Sequence, residues 1–311
     1  MRRLIEFLNL TIPNLGYYIQ EHYLSCYIPV VRGGKHVLVA REDPSLLITD
    51  TQEINLSGVK IFVRFLSDVY SRGGYTIYFP RIDGTIQIAI QSHINSLFHY
   101  SGPNNLIINM DSISHIMPSI RNVTKSLIRG TRIDMKVIED YLTRYPNHHS
   151  AHIEALIDGE IAEDSKIWNI ERLAFKNANV GMFLRKFTGQ HLCLLKAQAA
   201  AAEVAVFLEE WVSNRAHQNL KVLLVSWKER NDPVVHEVMN RFRPVMIMYD
   251  DLNPSNRPSH FKFDTQIIGM KTCDLEMRFP SIYEIKRSDG KRAFLYCTTL
   301  DFTFFVCDDA E

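Results

Sequence analysis

Between residues 200 and 243 the apolar positions follow the period of a helix, then of a buried strand, then of a second helix. The first helical stretch places Val204, Phe207, Leu208 and Trp211 on one face, and the second repeats this spacing with Val235, Val238, Met239 and Phe242. An apolar run at residues 220–225 separates the two. Each element has one apolar surface to bury, and such units stack side by side in solenoid proteins. The pattern therefore predicts a strand–helix repeat.

Similar patterns recur along the middle of the chain. Apolar runs begin near residues 86, 106, 153, 170, 192, 220 and 244, and a helical pattern covers residues 134–145. Most run starts are separated by roughly 20 to 30 residues, the period of leucine-rich and related repeats. The runs at Ile170, Leu192 and Leu220 carry apolar residues at positions 1, 4 and 6, as a leucine-rich repeat does. The asparagine expected three positions later is absent from each, so the repeats are irregular.

We therefore expect an α/β fold: an irregular leucine-rich-repeat-like solenoid of strands and helices with a C-terminal antiparallel β cap. The cap is predicted from apolar runs at residues 261–263, 282–285, 293–296 and 302–306, with a hairpin turn at residues 287–290. Such a cap would cover the open end of a solenoid core. An ordinary α/β sandwich is the alternative fold.

The first part of the chain is less regular, and we divide the chain into an N-terminal region, residues 1–80, and a second domain, residues 81–311. Alternating apolar residues on both sides of an Arg-Ile-Asp-Gly turn at residues 81–84 predict a β-hairpin. Residues 60–70 fit a strand or a short helix.

The composition argues against several classes of protein. Lys plus Arg and Asp plus Glu both number 35, whereas proteins that bind nucleic acid through its phosphates usually carry a basic excess. No apolar run approaches the ~20 residues that span a bilayer, and the N-terminus does not resemble a signal peptide. The five cysteines form no C-x-x-C pair, which argues against a zinc site or a disulfide framework. We expect reduced thiols in a cytoplasmic or nuclear protein with no nucleic-acid or membrane partner.

Three histidines near one another are the best candidates for metal chemistry. His148, His149 and His152 lie beside Glu154, and imidazoles with a carboxylate suit zinc. They follow a helix in a turn, however, and lack the i, i+4 spacing of the helical zinc protease motif. We interpret them as solvated loop residues, so the sequence predicts no metal site, no cofactor and no catalytic residue.

Other candidate residues lack the partners that catalysis requires. The carboxylates Asp250, Asp251 and Asp264 suit acid–base or magnesium chemistry, but no nucleophile accompanies them. The serines Ser213, Ser226 and Ser288 lie outside any G-x-S-x-G motif. We interpret the carboxylates as loop residues.

Two further features invite a ligand-binding interpretation. Residues 32–35, Arg-Gly-Gly-Lys, suit a phosphate, but a lone Gly-Gly pair is typical of a turn. Trp211 lies on the apolar face of its helix and is predicted to be in the core, while Trp227, at a strand end, is expected to be more open.

Several segments together resemble the F-box-associated domain, type 2, of nematode F-box proteins. The main marker is F-L-E-E-W at residues 207–211, followed by N-L-K-V-L at residues 219–223. The segment I-K-R-S-D-G at residues 285–290 is similar to the I-x-R-x-D-G segment near that family's C-terminus. Further matches are I-E-R-L at residues 170–173, the segment opening at Gly189 and Arg-Pro before Phe261, with weaker ones upstream. The better part of the resemblance covers residues 170–306, and a fainter part covers residues 86–145.

The resemblance implies a function in protein recognition. Members of that family begin with an F-box, which docks on the Skp adaptor of a cullin ubiquitin ligase, and the associated domain then recruits a protein substrate. Here the F-box is degenerate or missing, because only Ile12, Pro13 and Leu15 match its early L-P pair, and we assign these three to adaptor binding. We thus expect residues 81–311 to be a non-enzymatic interaction domain. A stand-alone binding module and a metal-dependent hydrolase using the three histidines are the alternatives.

Overall fold

A computed structural model describes residues 12–30, 33–66, 76–112, 117–248, 251–252, 259–277 and 282–307. The chain divides into two compact units. Unit 1 comprises Met1–Ile133 and Arg144–His148, and unit 2 comprises Asp134–Thr143 and His149–Glu311. The domain expected at residues 81–311 therefore contains parts of both units.

Unit 1 is a mixed β-sheet with one long helix. Its elements are β1 (Leu15–Gln20), β2 (Tyr23–Val30), β3 (Gly33–Glu42), β4 (Gln52–Leu56), β5 (Val59–Leu66), β6 (Thr76–Phe79), α1 (Gly84–Phe98), β7 (Asn104–Asn109) and β8 (Val123–Asp134). The strand order is β8-β7-β1-β2-β3-β6-β5-β4. Strands β8, β7 and β1 are parallel, as are β3 and β6, while β2 is antiparallel to both of its neighbours. The described part of residues 60–70, for which strand and helix were both open, belongs to β5, and residues 67–70 lie outside the described residues.

The β-hairpin predicted around residues 81–84 is wrong, because a helix begins there. The Asp83 carboxylate accepts hydrogen bonds from the backbone N–H groups of Thr85 (2.9 Å) and Ile86 (3.1 Å) and so caps α1. Gln87 and Gln91 are buried and lie four residues apart, on one face of the helix. Their side-chain oxygens accept hydrogen bonds from the backbone N–H groups of Ser119 and Arg121. The alternating isoleucines had suggested a strand because the buried glutamines do not register as core residues in a hydrophobicity pattern.

Unit 2 combines parallel strands, helices and antiparallel strands. Its elements are α2 (Met135–Arg144), β9 (Ser150–Asp158), β10 (Arg172–Lys176), α3 (Val180–Lys186), β11 (His191–Ala197), α4 (Ala201–Val212), β12 (Val222–Trp227), α5 (Asp232–Phe242), β13 (Ile247–Met248), β14 (His260–Phe263), β15 (Cys273–Glu276), β16 (Ile282–Lys286), β17 (Arg292–Cys297) and β18 (Asp301–Cys307). The order in its main sheet is β13-β16-β17-β18-β12-β11-β10-β9, and β14 and β15 form a separate hairpin. Strands β9 to β12 are parallel and the rest are antiparallel.

The predicted leucine-rich-repeat-like solenoid is wrong, because the strands belong to large mixed sheets with few helices. Strands β9 to β12 do follow one another in chain order with helices between the later ones, and this local alternation produced the repeat-like period. The C-terminal antiparallel strands do not stack on the end of a solenoid. They extend the same sheet through backbone pairing, with Val222 of β12 opposite Phe305 of β18.

Local sequence explains where the helices of unit 2 begin. The Asn179 side chain accepts the Met182 N–H (3.1 Å) at the start of α3, and Glu203 accepts the Ala200 N–H (3.0 Å) at the start of α4. Among the described residues, every helix is too short or too polar to cross a membrane.

Candidate functional site

The residues assigned to adaptor binding lie where unit 1 begins its sheet. Leu15 opens β1 and is fully buried, Ile12 is half-buried and Pro13 is exposed. Strands β1 to β3 occupy Leu15–Gln20, Tyr23–Val30 and Gly33–Glu42, where an F-box would have helices. Because the Leu15 side chain packs inside the sheet's core, an adaptor can reach only Ile12 and Pro13 of the three.

The three histidines do not assemble a metal site. In unit 1, His148 places Nε2 2.6 Å from Ser126 Oγ and Nδ1 2.7 Å from the Tyr145 carbonyl oxygen. In unit 2, His149 is 3.6 Å from the Glu171 carboxylate, while His152 lies on β9 with Nδ1 3.0 Å from the Ile268 carbonyl oxygen. Each ring therefore belongs to a different network, and no group of three metal-ligating side chains occurs in the described ranges.

The other candidate side chains are also kept apart by local hydrogen bonds. Asp264 is exposed and accepts the Gln266 N–H (2.9 Å), and Ser213 Oγ donates to the Glu209 carbonyl oxygen (2.6 Å). Ser226 lies on β12, and Ser288 lies in a hairpin turn. Asp250 and Arg32 lie outside the described residues. These bonds are typical of turns and helix ends.

Unit 1 has an open cleft at the carboxyl ends of β1 and β3. Its volume is about 500 Å³, and Glu21, His22, Glu42 and Ser112 are among its lining residues. His22 lies 3.8 Å from the Glu21 carboxylate and 3.6 Å from that of Glu42, and Glu42 also accepts the Ile82 N–H. Crevices at the carboxyl edge of parallel strands often hold ligands, and here the His22 ring lies within 4 Å of two carboxylates.

The parallel strands of unit 2 turn one face toward the helices and the other toward residues 259–277. Phe175 on β10 contacts Phe183 on α3, with ring centroids 4.8 Å apart, which identifies the helix-bearing face. Residues alternate along a strand, so Arg172 and Ala174 project from the opposite face. We call this opposite face, with its rows Ser150–Arg172–His191–Val222 and His152–Ala174–Cys193–Leu224, the helix-free face.

Residues 259–277 cover these two rows. The Arg172 guanidinium donates to Gln266 Oε1 (3.0 Å), and the Ile268 carbonyl oxygen bonds His152. Ile267 packs with Ala174 and Cys193. In a strand–helix repeat the corresponding face commonly binds partners, but in this chain most of it is filled by the chain itself.

The buried His191 gives this covered face a sensitivity to acid. Its ring lies 4.5 Å from that of Phe263, and its Nδ1 accepts a hydrogen bond from Arg172 Nε (3.1 Å). Burial, with smaller contributions from the positive charges of Arg172 and Lys221, lowers the pKa of His191 to about 4. The imidazole is therefore neutral at pH 7 and acts as an acceptor.

We expect acid to destabilise the fold through His191. The folded pKa of about 4 lies below the usual 6.5, so the unfolded chain binds the proton more readily and stability falls as pH drops from 6.5 to 4. His191→Gln, which does not titrate, should lose less stability over this interval in urea unfolding measured at successive pH values. His236→Gln, at an exposed histidine of α5, should behave as the wild type does. Equal losses in the wild type and His191→Gln would contradict this assignment.

Two of the segments that carry the family resemblance meet at the end of α4. Trp211 is fully buried, and the guanidinium of Arg287 lies over its ring at 5.4 Å from the centroid. Arg287 is itself buried and pairs with Asp289 through two bonds, Nε to Oδ1 (2.9 Å) and Nη2 to Oδ2 (2.7 Å). Hydrogen bonding by Arg287 lowers the pKa of Asp289 to about 2.

The backbone completes this contact, because the Ser288 N–H donates to the Val212 carbonyl oxygen at 2.8 Å. The hairpin turn predicted at residues 287–290 is confirmed, with β16 and β17 on either side. The motif F-L-E-E-W ends at residue 211, and the motif I-K-R-S-D-G begins at residue 285. These two distant motifs thus form one structural junction. We call Trp211, Arg287 and Asp289 the Trp–Arg junction.

Comparison of the chain with protein-family models, with curated proteins and with solved structures found no significant match in any of the three. The resemblance to the F-box-associated domain therefore rests on the motifs in the sequence alone.

Proposed function

We propose that the chain is a non-enzymatic protein-interaction module that recognises a protein substrate. The observation that carries this proposal is the Trp–Arg junction, in which two segments resembling the F-box-associated domain contact each other. On this proposal the module acts in the cytoplasm or nucleus, without a cofactor, and its partners are proteins.

The narrower form of the proposal is that the module is the substrate-recognition subunit of a Skp–cullin ubiquitin ligase. Its support is the family resemblance alone, and its adaptor contact would use Ile12 and Pro13, which are the accessible members of the assigned residues. A stand-alone module without ligase contact is the second candidate. It is favoured by the strands β1 to β3, which take the place of the helices an F-box would supply.

Mixing the full chain with a purified Skp-type adaptor bound to its cullin tests the narrower form. For a ligase subunit we expect co-elution on size exclusion and at least about tenfold weaker binding by Pro13→Asp, a loss that corresponds to about 1.4 kcal/mol. Leu47→Asp alters a strongly exposed residue of unit 1 and is the matched control, expected to bind as the wild type does. Separate elution of the two proteins would exclude ligase membership and leave the stand-alone module.

A further inference from the structure

The helices α3 and α4 enclose a small apolar groove on the surface of unit 2. Its volume is about 160 Å³, with Leu184 and Phe207 among its apolar lining residues. Small-molecule pockets usually measure about 300–1,000 Å³, so this space suits one large side chain better than a cofactor. A groove of this size between two helices is the kind of surface that receives a single anchor residue of a protein partner.

Small residues create the space. Gly181 on α3 and Ala202 on α4 both line the groove. A Cβ atom at Gly181 would collide with the Glu203 carboxylate, so only glycine lets that carboxylate lie against the start of α3. Glu203 is held there by the Ala200 N–H (3.0 Å) and by Arg185 (3.6 Å). The groove therefore has a fixed polar rim on one side.

Val206 forms an apolar rim of the groove and is not part of the buried core. The core-facing stripe of α4 consists of Val204, Phe207, Leu208 and Trp211, all buried. Val206 lies outside this stripe and is 43% exposed, yet it lines the groove. A single exposed valine is common on protein surfaces, but one that borders an apolar concavity adds contact area for a partner.

The far rim of the groove carries the negative charge of Glu210. Glu210 lines the groove, its side chain is 37% exposed, and its carboxylate lies 3.3 Å from His217 Nε2. Burial lowers the pKa of His217, so at pH 7 the ring is neutral and donates a hydrogen bond without cancelling the charge of Glu210. In the part of unit 2 that the structure describes, no Lys or Arg lies within ion-pair distance of Glu210.

We propose that the α3–α4 groove binds a protein segment that inserts one large apolar side chain beside a Lys or Arg, which pairs with Glu210. This inference rests on the proposed function, because it names the surface and the partner chemistry of the same module. The apolar floor, the exposed Val206 and the anionic rim each select one part of such a segment. A second copy of this chain or a small molecule in the groove would be a different outcome, and each would overturn the proposal.

Selection of random dodecapeptides displayed on phage against the full chain tests it. We expect a consensus with a large apolar residue within a few positions of Lys or Arg. A synthetic peptide of that sequence should bind Val206→Glu at least about tenfold more weakly. It should bind Glu210→Lys about threefold more weakly, because an exposed ion pair contributes only modestly to binding. A peptide with Glu in place of its basic residue should recover affinity for Glu210→Lys.

Two control variants make the same chemical changes elsewhere in unit 2. Val245→Glu replaces another exposed valine, and Glu229→Lys reverses another exposed carboxylate; both should bind as the wild type does. The proposal is overturned if no peptide is enriched, if the consensus lacks a basic residue, or if Val206→Glu binds normally. It is equally overturned if Val206→Glu abolishes a self-association seen by sedimentation. Binding of the Skp-type adaptor is measured on the same variants. If the adaptor binds but no peptide does, this inference fails and the ligase role stands; if the peptide binds but the adaptor does not, the ligase role fails and this inference stands.

Discussion

Replacing Trp211 with alanine is expected to lower the free energy of unfolding by about 3–5 kcal/mol, the usual cost of truncating a large buried aromatic side chain. The Trp211 ring is fully buried and packs edge-on against Phe304, with centroids 5.1 Å apart. It also forms the apolar support for the Arg287 guanidinium, which is itself buried. Truncation would therefore leave a cavity and an ill-supported buried charge at once. Urea unfolding followed by circular dichroism measures the loss.

Val206→Ala is the matched control, since it shortens a side chain on the same helix at a residue that is 43% exposed. Its effect on the free energy of unfolding should stay within about 0.5 kcal/mol. If Trp211→Ala were as mild as this control, the Trp–Arg junction would not stabilise unit 2.

Replacing Gly189 with alanine is expected to cost about 2–3 kcal/mol, at the upper end of the range for overpacking. A Cβ atom there would collide with the Ile170 carbonyl oxygen, which belongs to the backbone and cannot rotate away. The chain cannot shift easily, because the Thr188 N–H donates to Trp168 (2.9 Å) and the Gln190 N–H to Glu171 (2.8 Å). Thermal or urea unfolding measures the change.

Gly58→Ala separates steric collision from backbone strain. Gly58 has φ of +91° and nothing within 4 Å of its added Cβ, so alanine there should cost only about 1 kcal/mol for the left-handed conformation. A smaller loss for Gly189→Ala than for Gly58→Ala would show that the close approach of the two segments before β10 and β11 is not maintained.

The sequence predicted local elements well where their apolar period was strong. The helix around Val204 and Trp211, the strand after residue 220 and the helix ending at Phe242 are confirmed as α4, β12 and α5. Trp211 lies in the core as predicted. Trp227 is buried rather than open, because β12 lies between β11 and β18 and the Trp227 N–H bonds the Leu300 carbonyl oxygen.

Sheet topology was not accessible from the same patterns. A period reports which side of a strand is buried, but β12 pairs with β18, about 80 residues further along, and nothing in either segment encodes that partnership. The repeat-like spacing of β10, β11 and β12 therefore suggested a solenoid for the whole chain.

The candidate site was predictable only in part. The motif containing Trp211 and the motif containing Arg287 were both recognised in the sequence, but their contact depends on the fold. The α3–α4 groove left a faint signal, namely Val206 outside the apolar stripe of its helix and between Glu203 and Glu210. The second wall of the groove contains Gly181, which precedes Val206 by 25 residues in the chain. Helical spacing does not predict that these two residues lie close together.

Hydrogen–deuterium exchange on the full chain, with and without the peptide selected on phage, would locate recognition by the module. Binding in the groove predicts slower exchange for the backbone amides of α3 and α4, with the exchange of β14 and β15 unchanged. Protection confined to other elements, or no protection at a peptide concentration that saturates binding, would contradict recognition of a protein segment between these two helices.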